Sequence, residues 1–163
     1  MTDETAPPAW FLAPIQHVEP AWIDWNGHLN MAYYNVLFDR AADHFLAGVG
    51  ISPAYVRERA GSIMTAEIHV RYLREVFRED PLRVRIRVLA VDDKRLHLFS
   101  ELLHAEEGWV SATSEQMNLH VDMEKRRVAP WPADIRAALE ARAAAARDLP
   151  PPADVGRRIA MPT

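Results

Sequence analysis

The hydrophobic period of this chain changes once, at Gly61, and that change limits the folds open to it. Before it, Met31, Tyr34, Phe38, Ala41 and Phe45 recur at helical spacing. They predict one apolar stripe on a helix from about Asn30 to Ala47, stopped by Gly48 and Gly50. After it, apolar residues recur at alternate positions: Met64, Ala66, Ile68, Val70 and Tyr72, then Leu82, Val84, Ile86 and Val88. Two further strands follow at Leu96–His104 and Trp109–Val121. The links Glu79-Asp-Pro81, Asp92-Asp-Lys94 and Glu106-Glu-Gly108 are too short for crossovers, so neighbouring strands must run antiparallel.

A further strand is expected at Phe11–Val18, with Pro14 marking it as an edge. One long helix and about five antiparallel strands make an α+β domain whose apolar strand faces must cover the helix stripe. This is the hotdog fold, a long central helix wrapped by a sheet. The chain has 163 residues, enough for one such domain. We place it at 11–147, including a short helix at Ser52–Arg59 and a C-terminal surface helix from Pro132 to Arg147 anchored by Ile135 and Leu139. Residues 1–10 read as a flexible N-terminus and 148–163, with Pro150-Pro-Pro152, as an extended tail.

Composition removes several function classes. A formal net charge of −4 argues against a nucleic-acid backbone binder. With no cysteine there is no disulfide, thiolate metal site or Cys nucleophile. His97, His104 and His120 are spread over two strands and no His-x-x-x-His pair occurs, so no metal is expected. The sequence holds no apolar run long enough for a membrane span, and the acidic Met1-Thr-Asp-Glu-Thr5 lacks the basic start of a signal peptide. The expectation is a cytoplasmic protein with no membrane or nucleic-acid partner.

The chemistry concentrates at Trp22–Tyr34, immediately before and into the long helix. A helix start presents unpaired N–H groups and the positive end of a dipole. Asp24 is the only acid in the loop before it, Gly27 lets the loop bend, and Asn30 is suited to cap the helix. Asp24 is therefore either a catalytic carboxylate or a brace for the loop. His28 and Asn26 could orient it or simply hold the turn. Trp22 and Trp25 either bind something or plug the end of the core.

The run Asp24-Trp-Asn-Gly27-His-Leu-Asn30-Met, followed by Tyr33 and Tyr34, resembles the Asp-x-x-Gly-His-x-Asn motif of the 4-hydroxybenzoyl-CoA thioesterase-like family of hotdog acyl-CoA thioesterases. Ile68–Glu75, followed by Glu79-Asp-Pro81 and the Leu82-x-Val84 strand, is similar to that family's second signature. The resemblance covers roughly residues 12–122. Within the family, Trp22–Tyr34, Asp93–Phe99 and His104–Trp109 are most similar to the betainyl-CoA thioesterase group of carnitine breakdown.

The resemblance implies hydrolysis of a small acyl-CoA thioester, without a cofactor, by a homodimer or a tetramer built from dimers. It implies that Asp24 attacks the carbonyl or activates water, while the Met31 backbone N–H polarises the carbonyl oxygen. A second donor would come from the partner's Gly61–Met64 region. Glu67 is the reserve acid. Arg57 and Arg95, with Arg59 and Lys94, are candidates for the CoA phosphates. The Arg83, Arg85 and Arg87 stripe is another, or else a solvated face. A betainyl group would want aromatic faces for its quaternary ammonium, from Trp22, Trp25, Trp109, Tyr33 or Tyr34, the last better explained by core packing. A hotdog enoyl-CoA hydratase is the alternative enzyme, but His28 falls one residue early for its Asp-x-Asn-x-x-His motif. A non-catalytic acyl-CoA-binding module is the other alternative.

Overall fold

The computed structural model of the protein describes residues 7–161, so residues 1–6 of the expected loose N-terminus and 162–163 of the tail lie outside the described residues. Two short strands, β1 (Phe11–Leu12) and β2 (Gln16–His17), lead through a 3-10 turn at Pro20–Trp22 to helix α1 (Met31–Gly48). Helix α2 (Pro53–Arg59) follows, then β3 (Gly61–Tyr72), β4 (Pro81–Val91), β5 (Arg95–His104), β6 (Val110–Asp122), β7 (Arg127–Val128) and α3 (Ala133–Ala145). The sheet order is β1-β4-β5-β6-β3, with β2 also on β4 and β7 on β6, and every pairing is antiparallel.

Tyr34, Leu37, Phe38, Ala41 and Phe45 form the buried face of α1. They enter one core with Leu82, Val84, Ile86, Leu98 and Leu102 from the sheet. Met31, expected on that stripe, is instead 62% exposed, because the buried face of α1 begins at Tyr34. The strand expected at Phe11–Val18 is two short pairings with β4, split around Pro14, which has no N–H to give the ladder. Ile135 and Leu139 anchor α3, and Ile135 closes the core near the end of α1, where its Cδ1 would lie 2.9 Å from a Cβ at Gly50.

β3 departs from the simple alternation. Thr65 pairs with Asn118 and Glu67 with Met117, leaving Ala66 as an unpaired extra residue, a β-bulge. The bulge moves Met64 to the outer face, while Ile68, Val70 and Tyr72 stay with the inner one. Met64, Ile68 and Tyr72 remain 47%, 45% and 43% exposed, so the expected half-buried strand is largely open in the single chain. Its far edge carries no neighbour among the described residues.

The arginine stripe of β4 is not a solvated face. Arg85 pairs with Glu101 and lies 4.5 Å over the Trp10 ring, which packs a residue of the expected loose N-terminus. Arg87 is buried. Its guanidinium donates to the carbonyls of Ala146 (2.8 Å), Leu149 (3.0 Å) and Pro150 (2.7 Å), gathering the chain after α3. The tail then crosses the outer face: Asp154 pairs with Arg71 and accepts from Thr113, and Gly156 N–H donates to Glu115. Arg87→Ala is expected to lower the unfolding free energy by about 2–3 kcal/mol, the scale of hydrogen bonds made by a charged group. Urea unfolding measures that loss, and the Asp154–Gly156 amides should exchange faster in the variant.

Candidate active site

The loop between the 3-10 turn and α1 is shaped by its own backbone. Asp24 N–H donates to His28 O (3.1 Å), Gly27 N–H to Asp24 O (3.0 Å), and Ile23 bridges Leu29. Gly27 sits at φ +81°, a left-handed conformation that a side chain would strain. Two bonds then tie the loop to the body: Leu29 N–H to Val76 O (2.8 Å) and Asn30 N–H to Trp22 O (2.9 Å). Asn30 caps α1 as expected, its Oδ1 accepting from Ala32 N–H at 3.0 Å.

Asp24 Oδ1 accepts from the Asn26 N–H at 2.8 Å, so Asn26 braces the carboxylate through its backbone and not its side chain. His28 Nε2 stands 4.0 Å from the same oxygen. Asp24 Oδ2 and the Met31 N–H have no hydrogen-bond partner among the described residues. Both residues line an open cleft of about 300 Å³, with His28, Leu29 and Tyr34. An uncommitted carboxylate oxygen and a free N–H on the positive end of an 18-residue helix therefore share one space. That pairing suits attack on a carbonyl whose oxygen gains charge.

The opposite wall comes from the end of β3 and the turn after it: Tyr72, Leu73, Arg74 and Glu75. None of these is among the sequence-level site candidates, although Ile68–Glu75 carries part of the family resemblance. The turn is fixed by the Leu73 and Arg74 N–H groups, which both donate to Ser111 O (2.8 and 3.0 Å), and by Ser111 Oγ on Arg74 O (2.7 Å). Tyr72 Oη donates to Met31 O at 3.1 Å, joining strand to helix start, and its ring meets Tyr34 edge-on at 5.0 Å.

The expected aromatic and basic candidates mostly lie elsewhere. Trp22 is buried and stacked on Tyr33 at 5.2 Å, with Arg40 4.9 Å over its ring, and neither aromatic lines the cleft. Trp25 is 95% exposed on the loop tip. Trp109 donates to Glu107 and carries the Arg74 guanidinium 3.9 Å over its ring. Arg57 is exposed on α2, and Arg95 pairs with Asp92 in the β4–β5 turn, away from this cleft. Tyr34, for which core packing is the better expectation, is both buried and a wall of the cleft. Glu67 lies in a separate hollow of the outer face, beneath the tail. The histidines are tied separately: His97 to Glu115, and His120 between Tyr55 and the Ala129 carbonyl. No group of three potential metal ligands occurs among the described residues, and no helix there is long and apolar enough to cross a membrane.

Burial pushes the phenols of Tyr34, Tyr55 and Tyr72 above the ordinary tyrosine value. The folded protein thus favours their protonated forms. The stability they contribute is complete below the unfolded value near 10 and is lost as pH rises through the higher folded values. Ultraviolet titration of the native protein should show these phenolates appearing later than in urea.

Residues 18–139 match the thioesterase-like superfamily. The chain is 39% identical over 145 residues to the betainyl-CoA thioesterase of Pseudomonas aeruginosa, a match covering 89% of this chain and 91% of that protein. It is 37% identical over 142 residues to an L-carnitine dehydrogenase/betainyl-CoA thioesterase of Rhizobium meliloti, covering 87% of this chain and 28% of that longer one. A Staphylococcus aureus protein solved in complex with CoA superposes with a TM-score of 0.87 at 27% identity, covering 96% of this chain and 97% of the other. The cleft between loop, helix start and β3 is thus carried by a known framework: the chain belongs to the thioesterase-like superfamily and has its hotdog fold.

Proposed function

We propose that the protein hydrolyses betainyl-CoA to betaine and CoA at the Asp24 cleft. It is an acyl-CoA thioester hydrolase, as its family and its similarity to betainyl-CoA thioesterases over most of both chains imply. The observation that carries the residue roles is the shared cleft of Asp24 and the partnerless Met31 N–H. The thioester oxygen accepts from that N–H, and charge gathering on it is stabilised by the helix dipole. Asp24, braced on one oxygen by Asn26, offers the other to the carbonyl carbon or to a water beside it. Either route breaks the C–S bond, with CoA leaving as thiolate and water supplying the product's new oxygen.

The working unit in this reading is a homodimer. β3 offers an open edge with half-exposed apolar side chains. Beside it, α1 leaves a cleft of about 530 Å³ over the inner sheet face, lined by Asn35, Asp39, Thr65, Ile68 and Asn118 among others. A second copy pairing along β3 would cover Ile68 and that cleft, while Tyr72, at the end of the strand, keeps facing the Asp24 cleft.

Purified protein is expected to release thiol from betainyl-CoA faster than from 4-hydroxybenzoyl- or fatty acyl-CoA. Asp24→Asn retains an acceptor for the Asn26 N–H yet should lose at least ~100-fold in rate, the scale of a missing base or nucleophile. Undiminished turnover in that variant excludes the assigned role. Light scattering should give twice the chain mass, and Ile68→Arg should give monomers with little activity.

A further inference from the structure

We propose that Tyr72, backed by Tyr34 and with the Glu75 carboxylate beside it, is the subsite for the trimethylammonium end of the acyl group. This rests on the betainyl-CoA reading above and adds the residues that recognise the charge.

Chain length restricts where that charge can be. One methylene separates the betainyl nitrogen from the carbonyl carbon, so ordinary bond lengths put the two about 2.5 Å apart. With the carbonyl oxygen at the Met31 N–H, the cationic head lies in the same cleft. A quaternary ammonium has no N–H to donate. It is held by aromatic faces within about 6 Å and by carboxylates.

The tryptophans do not meet that requirement. Trp22 is buried against Tyr33 and Arg40, Trp25 stands in solvent outside the cleft, and Arg74 stacks on the Trp109 ring. The aromatic walls of the cleft are Tyr34 and Tyr72. Tyr34 is 3% exposed and Tyr72 43%, so Tyr72 presents most of the surface and Tyr34 supports it. The Tyr72 ring is held at both ends, by its hydroxyl on Met31 O and by the edge-on contact with Tyr34. A ring fixed beforehand spends little freedom on binding. The ionisable side chains around the space, besides the two phenols, are Asp24, Glu75, His28 and Arg74. Both acids favour a cation, and the stacking on Trp109 holds the Arg74 charge to one side.

Two unreactive thioethers test this: S-(2-trimethylammonioethyl)-CoA and S-(3,3-dimethylbutyl)-CoA, which match in shape and differ in charge. Calorimetry on the wild-type protein should show the charged one binding roughly tenfold more tightly, within the range of a partly desolvated cation–aromatic contact. Tyr72→Phe keeps the ring and should keep the preference. Tyr72→Leu should reduce it to within about twofold, and Tyr72→Met makes the same comparison if the leucine variant does not fold. A wild-type protein that binds both thioethers equally, or a leucine or methionine variant that retains the full preference, overturns the subsite. A protein that cleaves betainyl-CoA but shows no charge preference loses the subsite alone. One that binds the charged thioether through Tyr72 but does not cleave betainyl-CoA keeps the subsite and loses the substrate assignment.

Discussion

The structure depends on hiding one side of α1 from water. Leu37, Phe38, Ala41 and Phe45 are at most 1% exposed, and burial of each large side chain is worth about 1.5–3 kcal/mol. Among the described residues the other helices are shorter, and the sheet does most of the covering, with Leu82, Val84, Ile86, Leu98 and Leu102. Anchoring the middle of α1 this firmly also fixes its first turn. The cleft therefore sits at the end of the best-buried element, where the loop is tied to Val76 and Trp22 by backbone bonds alone. Positional accuracy at Asp24 and Met31 is a by-product of core packing.

Much of this was legible in the residues. The stripe of α1, the change of period at Gly61 and the short links between strands define the layers, and the Asn30 cap is local chemistry. What escaped reading is non-local. The bulge at Ala66 shifts the pairing by one residue, which a count of alternation cannot register because alanine fits either face. Trp22 and Tyr33 are both plausible binding aromatics until α1 folds back and stacks one on the other. Tyr72–Glu75 enter the cleft only because β3 ends beside a loop more than forty positions earlier. The tail has the composition of a linker, while the residue that gathers it, Arg87, is on a strand and reads there as surface charge.

Backbone groups shape the cleft as much as side chains do. Its free donor is the Met31 backbone, Asn26 acts through its N–H, and the Ser111 carbonyl shapes the far wall. In the mechanism proposed above, identity matters most at Asp24, whose carboxylate no backbone group can replace, and at Gly27, whose conformation excludes most other residues.

The strap over the outer face has a consequence for the conditions the fold withstands. A chain without cysteine cannot bolt its end down covalently, so changes in redox potential leave the strap alone. Two of its attachments differ in their response to salt. Arg71 and Asp154 are partly open to solvent, and mobile ions weaken their attraction. Arg87 is buried against neutral carbonyl oxygens, where counter-ions have little access. Rising ionic strength should therefore peel the strap from its far end while its root at Arg87 holds.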